Sequence, residues 1–291
     1  MPELPEVETI KIGLAKLLLG KTIQSVWSDW PKSFPNSKAD VQKFLVGAKI
    51  VLVTRRAKVL LIELDTKYSL VIHLKMTGQL VFVSDKQRFG AGHPSDSLIQ
   101  KLPDKSTRVI LELDGAHLFF NDQRKFGWMR LIPTAEVPMI DFFKKLGPEP
   151  LASDFSAIDF IRRFRGRTNS TIKAALLDQT VIAGVGNIYA DESLFAAKIH
   201  PSTKVKDVSI TKLTNLYKEL LAVLKLSIEK GGSTDKNYVD AEGKQGSYLS
   251  FAKVFRRDGK QCSRCGTIIE KIKVASRGTH ICPRCQPEPK E

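Results

Sequence analysis

The sequence predicts an α+β protein in which a helix and an antiparallel β-sandwich are followed by a helical domain and a cysteine-bearing hairpin. Three observations support this prediction. Apolar residues recur at helical spacing near the start, short runs rich in β-branched and aromatic residues extend to about residue 133, and helical spacing returns beyond residue 150. A run of strands followed by a run of helices is typical of the α+β class. The chain of 291 residues is long enough for two modest domains with buried cores.

The first predicted element is a helix over residues 6–19. Its apolar residues recur at three- and four-residue steps and are Val7, Ile10, Leu14, Leu17 and Leu18. Gly20 follows as a stop signal. At the other end, Pro5 suits a first helical turn, and the carboxylates of Glu3 and Glu6 favour the positive end of the helix dipole. The opening has neither the basic residues nor the apolar run of a secretion signal, so we expect no signal peptide.

A β-sandwich or barrel packed against the first helix is predicted for residues 22–133. The expected strands include residues 50–54, 59–64, 70–74, 80–83, 109–113 and 117–121. Turn residues separate these runs. Residues 84–106 are polar and contain glycine, proline and serine, and we expect them to form a long, mobile loop.

A second domain is expected after the turn-forming stretch LGPEPL at residues 146–151. Helices are predicted over residues 172–177, 189–197 and 212–229, and the last of them ends at Gly231 and Gly232. These changes of pattern divide the chain into four parts, which are residues 1–134 for the helix and sandwich, 135–150 for a linker, 151–249 for the helical domain and 250–291 for the hairpin.

The charge balance indicates a polyanionic partner. The 46 Lys and Arg residues exceed the 31 Asp and Glu residues, giving a net charge of +15 and an isoelectric point near 9.6. Nucleic acid and an anionic membrane surface both fit this balance, and a non-specific basic surface stays open as the plain alternative. No run approaches the ~20 apolar residues that a spanning helix needs, so no membrane span is expected. Residues 253–291 hold ten basic against four acidic residues, which favours a hairpin that grips the polyanion.

The four cysteines predict a structural zinc site. They form two C-x2-C pairs separated by sixteen residues, at Cys262, Cys265, Cys282 and Cys285. Each pair reaches one ion from a tight turn, and four thiolates close a tetrahedral Zn²⁺ site that leaves no open position for chemistry. Two disulfides are the alternative, which the absence of a secretion signal disfavours. We therefore expect one structural Zn²⁺ and a reducing, cytoplasmic environment.

Three short stretches combine residue types that suit contact with nucleic acid or catalysis. In GVGNIYADE, residues 184–192, two glycines make a tight turn, and Asn187 is expected to cap the following helix and hold a backbone phosphate; an ordinary capped helix is the alternative. In DQRKFGWM, Arg124 and Phe126 suit a wedge between bases, or a core aromatic with a solvated neighbour. In RRAKVLL, Lys58 lies mid-strand, either as a catalytic group or as an outward-facing strand residue.

Seven motifs together resemble those of a known family. In chain order they are MPELPEVET, RRAK, HLKMTG, RKFG, LGPEPL, LLDQTVIAGVGNIYADE and the two C-x2-C pairs. On these motifs, which span nearly the whole chain, the sequence is similar to the bacterial formamidopyrimidine-DNA glycosylase family. The resemblance implies a DNA repair enzyme that removes 8-oxoguanine and ring-opened purines from duplex DNA and then cuts the strand as an abasic-site lyase. It also implies that the helical domain is a helix–two-turn–helix module and that the hairpin is a zinc ribbon.

The resemblance assigns chemistry to four residues and a supporting role to a fifth. Once the initiator methionine is removed, Pro2 presents a secondary amine that attacks C1′ of the damaged nucleotide and forms an iminium ion. Glu3 is implied as the general acid and base acting on the opening sugar ring, and Glu6 as the carboxylate that orients the site. Lys58 is expected to assist β-elimination, and Arg277 is expected to assist δ-elimination while binding phosphate.

The resemblance also implies a set of DNA contacts. A duplex hides its bases, so the damaged nucleotide must be flipped out at a cost of a few kcal/mol. The residues expected to fill the vacated space are Met76, Arg124 and Phe126. Arg124 is expected to contact the pairing edge of the orphaned cytosine, and Asn187 and Arg167 are expected on backbone phosphates. Residues 233–248 match the loop that closes over the flipped base.

Some positions depart from the pattern of that family. A strand that often reads K-H-x-H is K-S-T-R at residues 105–108, and the V-Y-G-R run before the cysteines is V-F-R-R at residues 254–257. A lysine that often precedes the I-K pair is replaced by Thr168 or Asn169. These changes leave individual phosphate contacts open but keep the catalytic set.

Two other functions stay open at this level. The sister family for oxidised pyrimidines shares the mechanism and the zinc finger, but its start normally reads P-E-G-P-E and it lacks the methionine, arginine and phenylalanine filling set. A catalytically silent zinc-ribbon DNA-binding protein is the second alternative, and the presence of Pro2, Glu3 and Lys58 disfavours it. We expect a monomeric, cytoplasmic, nucleoid-associated enzyme with damaged double-stranded DNA as its partner and no membrane partner.

Overall fold

The computed structural model describes residues 2–233 and 248–289. The chain divides into two compact units. The first contains Met1–Lys144 and Ile228–Tyr248, and the second contains Lys145–Ser227 and Leu249–Glu291. Antiparallel sheets dominate the first unit, whereas helices and a C-terminal hairpin make up the second, which confirms the predicted α+β class. The boundaries expected at residues 134, 150 and 249 stay predictions.

The first helix, α1 (Leu4–Leu18), begins two residues earlier than predicted. Pro5 occupies its first turn, where the missing amide hydrogen of proline costs nothing, and Glu3 precedes it in extended backbone. The predicted apolar stripe is confirmed as the buried face of the helix. Gly20 follows the helix with a φ of 82°, a left-handed conformation that glycine adopts without strain.

Nine strands in the described part of the first unit form two antiparallel sheets. They are β1 (Ile23–Ser28), β2 (Ile50–Arg56), β3 (Val59–Leu64), β4 (Tyr68–His73), β5 (Gly78–Ser84), β6 (Arg88–Gly92), β7 (Thr107–Leu113), β8 (Ala116–Asp122) and β9 (Trp128–Pro133). One sheet has the order β1-β7-β8-β5-β6, and the other has the order β2-β3-β4-β9. The short helices α2 (Lys38–Phe44) and α3 (Asp141–Lys144) lie between and after the strands along the chain.

Both sheets and α1 share one apolar core, as a β-sandwich requires. The two-residue period of a strand places Val109 and Leu111 of β7, and Leu118 and Phe120 of β8, in this core. Phe119, on the opposite face of β8, belongs to a smaller apolar cluster. Each large side chain buried in this way stabilises the fold by about 1.5–3 kcal/mol relative to exposure. The predicted sandwich packed with the first helix is therefore confirmed.

The expectation of a mobile loop over residues 84–106 is wrong for its first half. Arg88–Gly92 form β6, which pairs with β5 and buries Phe89 and Ala91 in the sandwich core. A Cβ at Gly13 of α1 would overlap the Phe89 ring, so this glycine lets the helix lie directly on the strand. The two glycines in the sequence RFGAG disguise the strand, because glycine is depleted in strands. Strands β1 and β9 also lie outside the predicted runs.

The remaining helices are α4 (Ala157–Arg165), α5 (Ile172–Leu177), α6 (Asn187–Ala196), α7 (Ile210–Glu229) and α8 (Tyr248–Phe251). The three predicted helices are confirmed as α5, α6 and α7, with α6 and α7 each beginning two residues earlier than expected. Helix α4 was not predicted, although Ser156 and Asp159 form a capping box at its start.

The second unit also contains a hairpin of β10 (Glu270–Val274) and β11 (Arg277–Ile281). Val274 pairs with Arg277, so Ala275 and Ser276 form a two-residue turn, with positive φ angles of 48° and 59°. Such a turn matches the twist of the strands but strains a non-glycine residue by about 1–2 kcal/mol. The hairpin therefore presents Arg277 beside a tight, strained turn at its tip.

Candidate active site and nucleic-acid interface

Three of the predicted catalytic and supporting residues lie at the start of α1, with Pro2 and Glu3 just before the helix and Glu6 in its first turn. Pro2, Glu3 and Glu6 are all buried. The Glu3 amide donates a hydrogen bond to Glu6 Oε2 at 2.8 Å, and the Ser233 amide donates to Glu6 Oε1, also at 2.8 Å. Both carboxylate oxygens of Glu6 therefore bind backbone N–H groups. These hydrogen bonds fix the backbone next to Pro2 and connect it to the segment that follows α7. Holding the backbone in this way is the role expected of Glu6 as a supporting carboxylate.

Two glycines bring the chain from the end of α7 to Glu6. Gly231 and Gly232 have φ angles of 73° and 83°, which confirms the predicted end of the helix. A Cβ at Gly232 would lie 3.2 Å from both Cγ and Oε1 of Glu6, so a side chain there would press on the carboxylate. Of the expected lesion-closing loop, residues 233–248, only the two ends belong to the described residues.

Lys58 lies in the turn between β2 and β3 and not mid-strand as predicted. Arg56 pairs with Val59 across this turn, and Ala57 has a positive φ of 53°. The Arg55 guanidinium donates to the Ala57 carbonyl oxygen at 2.9 Å and so braces the turn. Lys58 is only 7% exposed, so the alternative of an outward-facing strand residue is wrong. A buried lysine at a braced turn has the restricted geometry that a catalytic group needs.

His73 is a further candidate that the sequence reasoning left without a role, although it opens the HLKMTG motif. Its Nδ1 accepts a hydrogen bond from the Lys75 amide at 3.0 Å. Burial, and then the charges of Lys75 and Lys58, lower the pKa of His73 to about 3. The ring is therefore neutral near pH 7, and because Nδ1 is the acceptor its proton lies on Nε2. His73 is thus a neutral hydrogen-bond donor whose pKa is lowered in part by the charge of Lys58.

The three predicted filling residues lie on two turns of the first unit. Met76 is 42% exposed and Phe126 is 54% exposed, so the alternative of a core phenylalanine is wrong. The Arg124 guanidinium carbon lies 4.8 Å from the Phe126 ring centroid, a cation–π contact. The Arg124 amide donates to the Thr77 hydroxyl oxygen at 3.1 Å, which brings the two turns together. Large apolar side chains exposed beside a cation suit insertion between bases.

Asn187 does not cap α6, contrary to the prediction. Gly186 occupies the capping position, and Asn187 is the first residue of the helix. Asn187 Nδ2 donates to the Gly278 carbonyl oxygen at 3.0 Å, and its Oδ1 has no partner within the described part of the chain. The side chain of Gln179 holds the preceding turn by accepting from the Gly184 amide at 2.9 Å. Because no side chain caps α6, its first N–H groups remain suited to an anion such as phosphate.

Two predicted phosphate-binding residues, Asn187 and Arg277, lie near each other in the second unit. Asn187 donates a hydrogen bond to Gly278, the residue that follows Arg277, and the Arg277 side chain is exposed. Behind them, the buried Lys173 ammonium bonds to Asp191 Oδ1 at 2.5 Å and to the Thr279 hydroxyl at 2.7 Å. Breaking a buried pair of this kind is strongly destabilising, because one charge is left uncompensated. The pair therefore holds β11, and with it Arg277, against α5 and α6.

Arg167 is held in place at the surface. Its Nε donates to Asp178 Oδ2 at 3.1 Å, and a terminal nitrogen donates to the Thr180 hydroxyl at 2.9 Å. These contacts position the guanidinium on the loop after α4. Its contact with a DNA phosphate stays a prediction.

The positions that depart from the family pattern have structural partners of their own. Ser106 is buried, and its hydroxyl donates to Asp104 Oδ1 at 2.7 Å. Arg108 is buried, and its guanidinium pairs with Asp29. Neither side chain is placed to take over a phosphate contact from a missing histidine. Thr168, in contrast, is exposed.

Glu192 anchors the V-F-R-R run before the cysteines. Its carboxylate accepts hydrogen bonds from the amides of Lys253, Val254 and Phe255 at 2.8–2.9 Å. Burial raises the pKa of Glu192 above its usual range, although these amide donors oppose the shift. Because the contacts are made to backbone amides, the side chains in this run can change without loss of the anchor.

The four cysteine sulfurs converge on one point. They lie within 4.8 Å of one another, with Cys265 Sγ at 3.4 Å from Cys282 Sγ and at 3.5 Å from Cys285 Sγ. None forms a disulfide, so that alternative is wrong. A tetrahedral Zn²⁺ with Zn–S distances near 2.3 Å places its sulfurs roughly 3.8 Å apart, and the sulfurs of this cluster reach that spacing with small shifts. Burial raises the pKa of Cys282 to about 12, a cost to the thiolate that a bound cation offsets. The residues therefore fit one structural Zn²⁺.

Three family models match the chain in order. They are the formamidopyrimidine-DNA glycosylase N-terminal domain at residues 1–129, the formamidopyrimidine-DNA glycosylase H2TH domain at residues 146–238, and a zinc finger found in FPG and IleRS at residues 259–287. The last of these contains all four cysteines.

Known proteins are similar over the full length. The formamidopyrimidine-DNA glycosylase of Latilactobacillus sakei is 40% identical over 287 residues, covering 98% of each chain. That of Herpetosiphon aurantiacus is 42% identical over 289 residues, covering 98% of this chain and 100% of its own. A Lactococcus lactis FPG mutant in complex with Fapy-dG-containing DNA has a TM-score of 0.87 at 35% identity, covering 99% of this chain and 100% of that one. The Lactococcus lactis protein with abasic-site DNA gives the same TM-score and identity, covering 98% and 100%.

Proposed function

Because this chain belongs to the formamidopyrimidine-DNA glycosylase family, we propose that Pro2 is the nucleophile with which it excises oxidised purines from duplex DNA. The protein is a DNA glycosylase for oxidised purines whose partner is damaged DNA, abasic-site lyase activity is a property of its family, and it carries one structural Zn²⁺. The observation that carries the residue assignment is the buried start of the chain at α1, where Glu6 in the first turn of the helix fixes the backbone of Glu3, next to Pro2.

The chemistry of Pro2 depends on removal of Met1. While Met1 is attached, the Pro2 nitrogen is part of an amide and its lone pair is delocalised into the carbonyl group. The freed amine has a reference pKa of about 8, which leaves a useful neutral fraction at pH 7. Its lone pair forms a bond to C1′ as the bond from C1′ to the damaged base breaks. The Pro2 nitrogen then loses its proton, which the departing base takes up. The nitrogen lone pair forms a C=N⁺ bond as the bond from C1′ to the ring oxygen breaks, and Glu3 protonates that oxygen, which leaves an iminium ion between Pro2 and C1′.

Strand cleavage follows from the iminium ion. It makes the neighbouring sugar protons acidic, so base-assisted β-elimination breaks the bond on the 3′ side and δ-elimination then breaks the bond on the 5′ side. We assign Lys58 to the β-elimination, since it is a buried lysine on a braced turn. We assign Arg277 to the δ-elimination and to phosphate binding, since it lies exposed at the hairpin tip beside Asn187.

Replacing Arg124 by alanine is expected to reduce the preference for cytosine opposite the lesion. A bidentate contact to a base edge contributes about 1–3 kcal/mol of discrimination, so the preference should fall about 5- to 150-fold. Excision rates opposite each of the four bases measure this effect. Arg130→Ala is the matched control, because Arg130 also stacks on an aromatic ring, that of Trp128 at 4.6 Å, and has no assigned DNA contact. If Arg124→Ala keeps the parent preference for cytosine opposite the lesion, Arg124 does not contact the orphaned cytosine.

Truncation of the two apolar filling residues is expected to separate base excision from strand cleavage. Met76→Ala and Phe126→Ala should each slow excision of 8-oxoguanine from duplex DNA by about tenfold, because the extruded base is no longer replaced. Cleavage at a pre-formed abasic site needs no flipped base and should change by less than about threefold. Ile158→Ala, which truncates another exposed apolar residue on α4, is the control. Equal losses on both substrates would contradict the filling role.

An incision assay over a set of lesions tests the proposed function as a whole. Duplexes that contain 8-oxoguanine or formamidopyrimidine should be cut, whereas oxidised pyrimidines should be cut poorly. Preferential cutting of oxidised pyrimidines would favour the sister family, and binding without cutting would favour the silent DNA-binding alternative. No helix among the described residues is long and apolar enough to cross a membrane. We further propose that the enzyme is a monomer in the cytoplasm, associated with the nucleoid through its net charge of +15.

A further inference from the structure

The side chains assigned to fill the vacated space lie on two turns that are distant in the sequence. We call them the filling turns: residues 74–77, which carry Met76, and residues 123–127, which carry Arg124 and Phe126. Side chains that enter a stacked duplex must hold their positions against the tendency of the bases to restack. Short loops do so only when tertiary contacts suppress their local motion.

A single buried carboxylate joins the filling turns. Asp122 ends β8 and is 0% exposed. Its Oδ1 accepts a hydrogen bond from the Thr77 hydroxyl and another from the Arg124 amide at 3.2 Å. Its Oδ2 accepts from the Gly127 amide at 2.6 Å. The Asp122 side chain therefore contacts the end of the first turn and both ends of the second.

The surroundings of Asp122 leave little room for movement. A Cβ at Gly127 would lie 2.8 Å from the Phe120 ring and 3.1 Å from Asp122 Oδ2, so the second turn packs directly on the carboxylate. The Arg108 Nε donates to the Asp122 carbonyl oxygen at 3.0 Å and fixes its backbone. A buried carboxylate is costly for stability compared with a well-packed apolar residue, even when it is hydrogen-bonded. A role in placing the turns accounts for this cost.

We propose that Asp122 and Thr77 are positioning residues that hold Met76, Arg124 and Phe126 as one rigid unit. The three side chains then enter the duplex together, without first losing the freedom of two independent loops. This inference rests on the proposed filling role and adds two residues to it that act through the filling side chains. Neither residue could be identified from the sequence motifs, because the contact joins turns that are 45 residues apart at Thr77 and Asp122.

Thr77 offers the sharpest variants, because two substitutions separate its hydroxyl from its shape. Thr77→Val keeps the branched shape and removes the donor to Asp122, whereas Thr77→Ser keeps the donor. Asp122→Asn replaces one carboxylate oxygen by an NH₂ group, which cannot accept a hydrogen bond from Thr77 or Gly127. The serine variant is thus the conservative control for the valine variant.

The variants are compared on a duplex with 8-oxoguanine opposite cytosine and on the same duplex with a pre-formed abasic site. Thr77→Val is expected to slow base excision roughly 10- to 100-fold, as misplaced groups typically do, and to change abasic-site cleavage by less than about threefold. Thr77→Ser should excise within about threefold of the parent protein. A parent-like excision rate in Thr77→Val, or equal losses on both substrates, would overturn the proposal. If Asp122→Asn does not fold, the two Thr77 variants still decide the question.

A double-mutant cycle tests whether Thr77 acts through the filling side chains. In a Phe126→Ala background, Thr77→Val should slow excision by a smaller factor than it does in the parent protein, because one of the side chains that Thr77 positions is already absent, whereas fully additive losses would contradict the positioning role. Phe126→Ala alone distinguishes a failure of the filling role from a failure of the positioning role. If it excises at the parent rate, the filling role itself fails. If it is slow while Thr77→Val is normal, only the positioning role fails.

Discussion

Protein that retains Met1 is expected to bind oxidised-purine DNA but to excise no base from it. An inserted lysine between Met1 and Pro2 would keep the Pro2 nitrogen in a peptide bond, where it has no free lone pair. Excision should then fall by roughly 10³-fold or more, as it does when a catalytic nucleophile is removed. Binding should persist, because the expected phosphate contacts at Asn187 and Arg277 do not use the Pro2 nitrogen. Intact mass establishes the form present, and incision and binding assays give the two readouts.

The control for this experiment keeps a free amine at the second position. Pro2→Gly, with Met1 removed, presents a primary amine that still forms a Schiff base, so it should keep measurable activity. Its comparison with the lysine-insertion protein separates the loss of the amine from the loss of the proline ring. Cutting of 8-oxoguanine DNA at the normal rate by protein that demonstrably lacks a free Pro2 nitrogen would refute the nucleophile assignment.

Replacing Cys265 by serine is expected to release the Zn²⁺ and weaken DNA binding by at least about tenfold. Structural Zn²⁺ contributes about 10–16 kcal/mol of apparent binding free energy to small zinc modules, and the apolar cluster around Cys262 and Cys282 is small. Without the metal, the hairpin that carries Arg277 should lose its order. The ten basic residues in residues 253–291 would then no longer present a fixed surface to phosphate.

Metal analysis and DNA titration at two salt concentrations measure these effects. Ser263→Ala is the matched control, since Ser263 is exposed and lies between Cys262 and Cys265. It should keep one zinc per chain and bind DNA like the parent protein. Full zinc content in Cys265→Ser, or unchanged binding after the metal is lost, would contradict the assigned role of the finger.

The pattern of apolar residues was sufficient to predict the sandwich and the main helices, because burial imposes a period of two on strands and of 3.6 on helices. The pattern failed where the local sequence is typical of a different secondary structure from the one that forms. Strand β6 has the sequence RFGAG, and its glycines resemble a loop until the pairing with β5 is known. The sequence predicts Lys58 within a strand, because Ala57, unlike glycine or asparagine, gives no sign of the left-handed turn that the structure has there.

The candidate site could be predicted where residue type and position alone indicate the chemistry. This holds for proline at the second position, for the four cysteines and for the RKFG motif. The cap expected at Asn187 was wrong because Gly186 occupies the capping position in extended backbone and Asn187 is already the first helical residue. Its side-chain amide instead donates to the carbonyl oxygen of Gly278, 91 residues away. Asp122 and His73 were missed for a related reason. Their importance comes from contacts and charges that only the folded chain brings together.

Borohydride trapping on 8-oxoguanine DNA, followed by peptide mapping of the adduct, tests directly whether Pro2 is the nucleophile. Borohydride reduces an iminium ion to a stable amine, so it captures the bond between the protein and C1′. If Pro2 is the nucleophile, protein that lacks Met1 gives one covalent adduct per chain, carried by the N-terminal peptide at Pro2. An adduct mapped to Lys58, or active protein that gives no adduct at all, would contradict the assignment of Pro2.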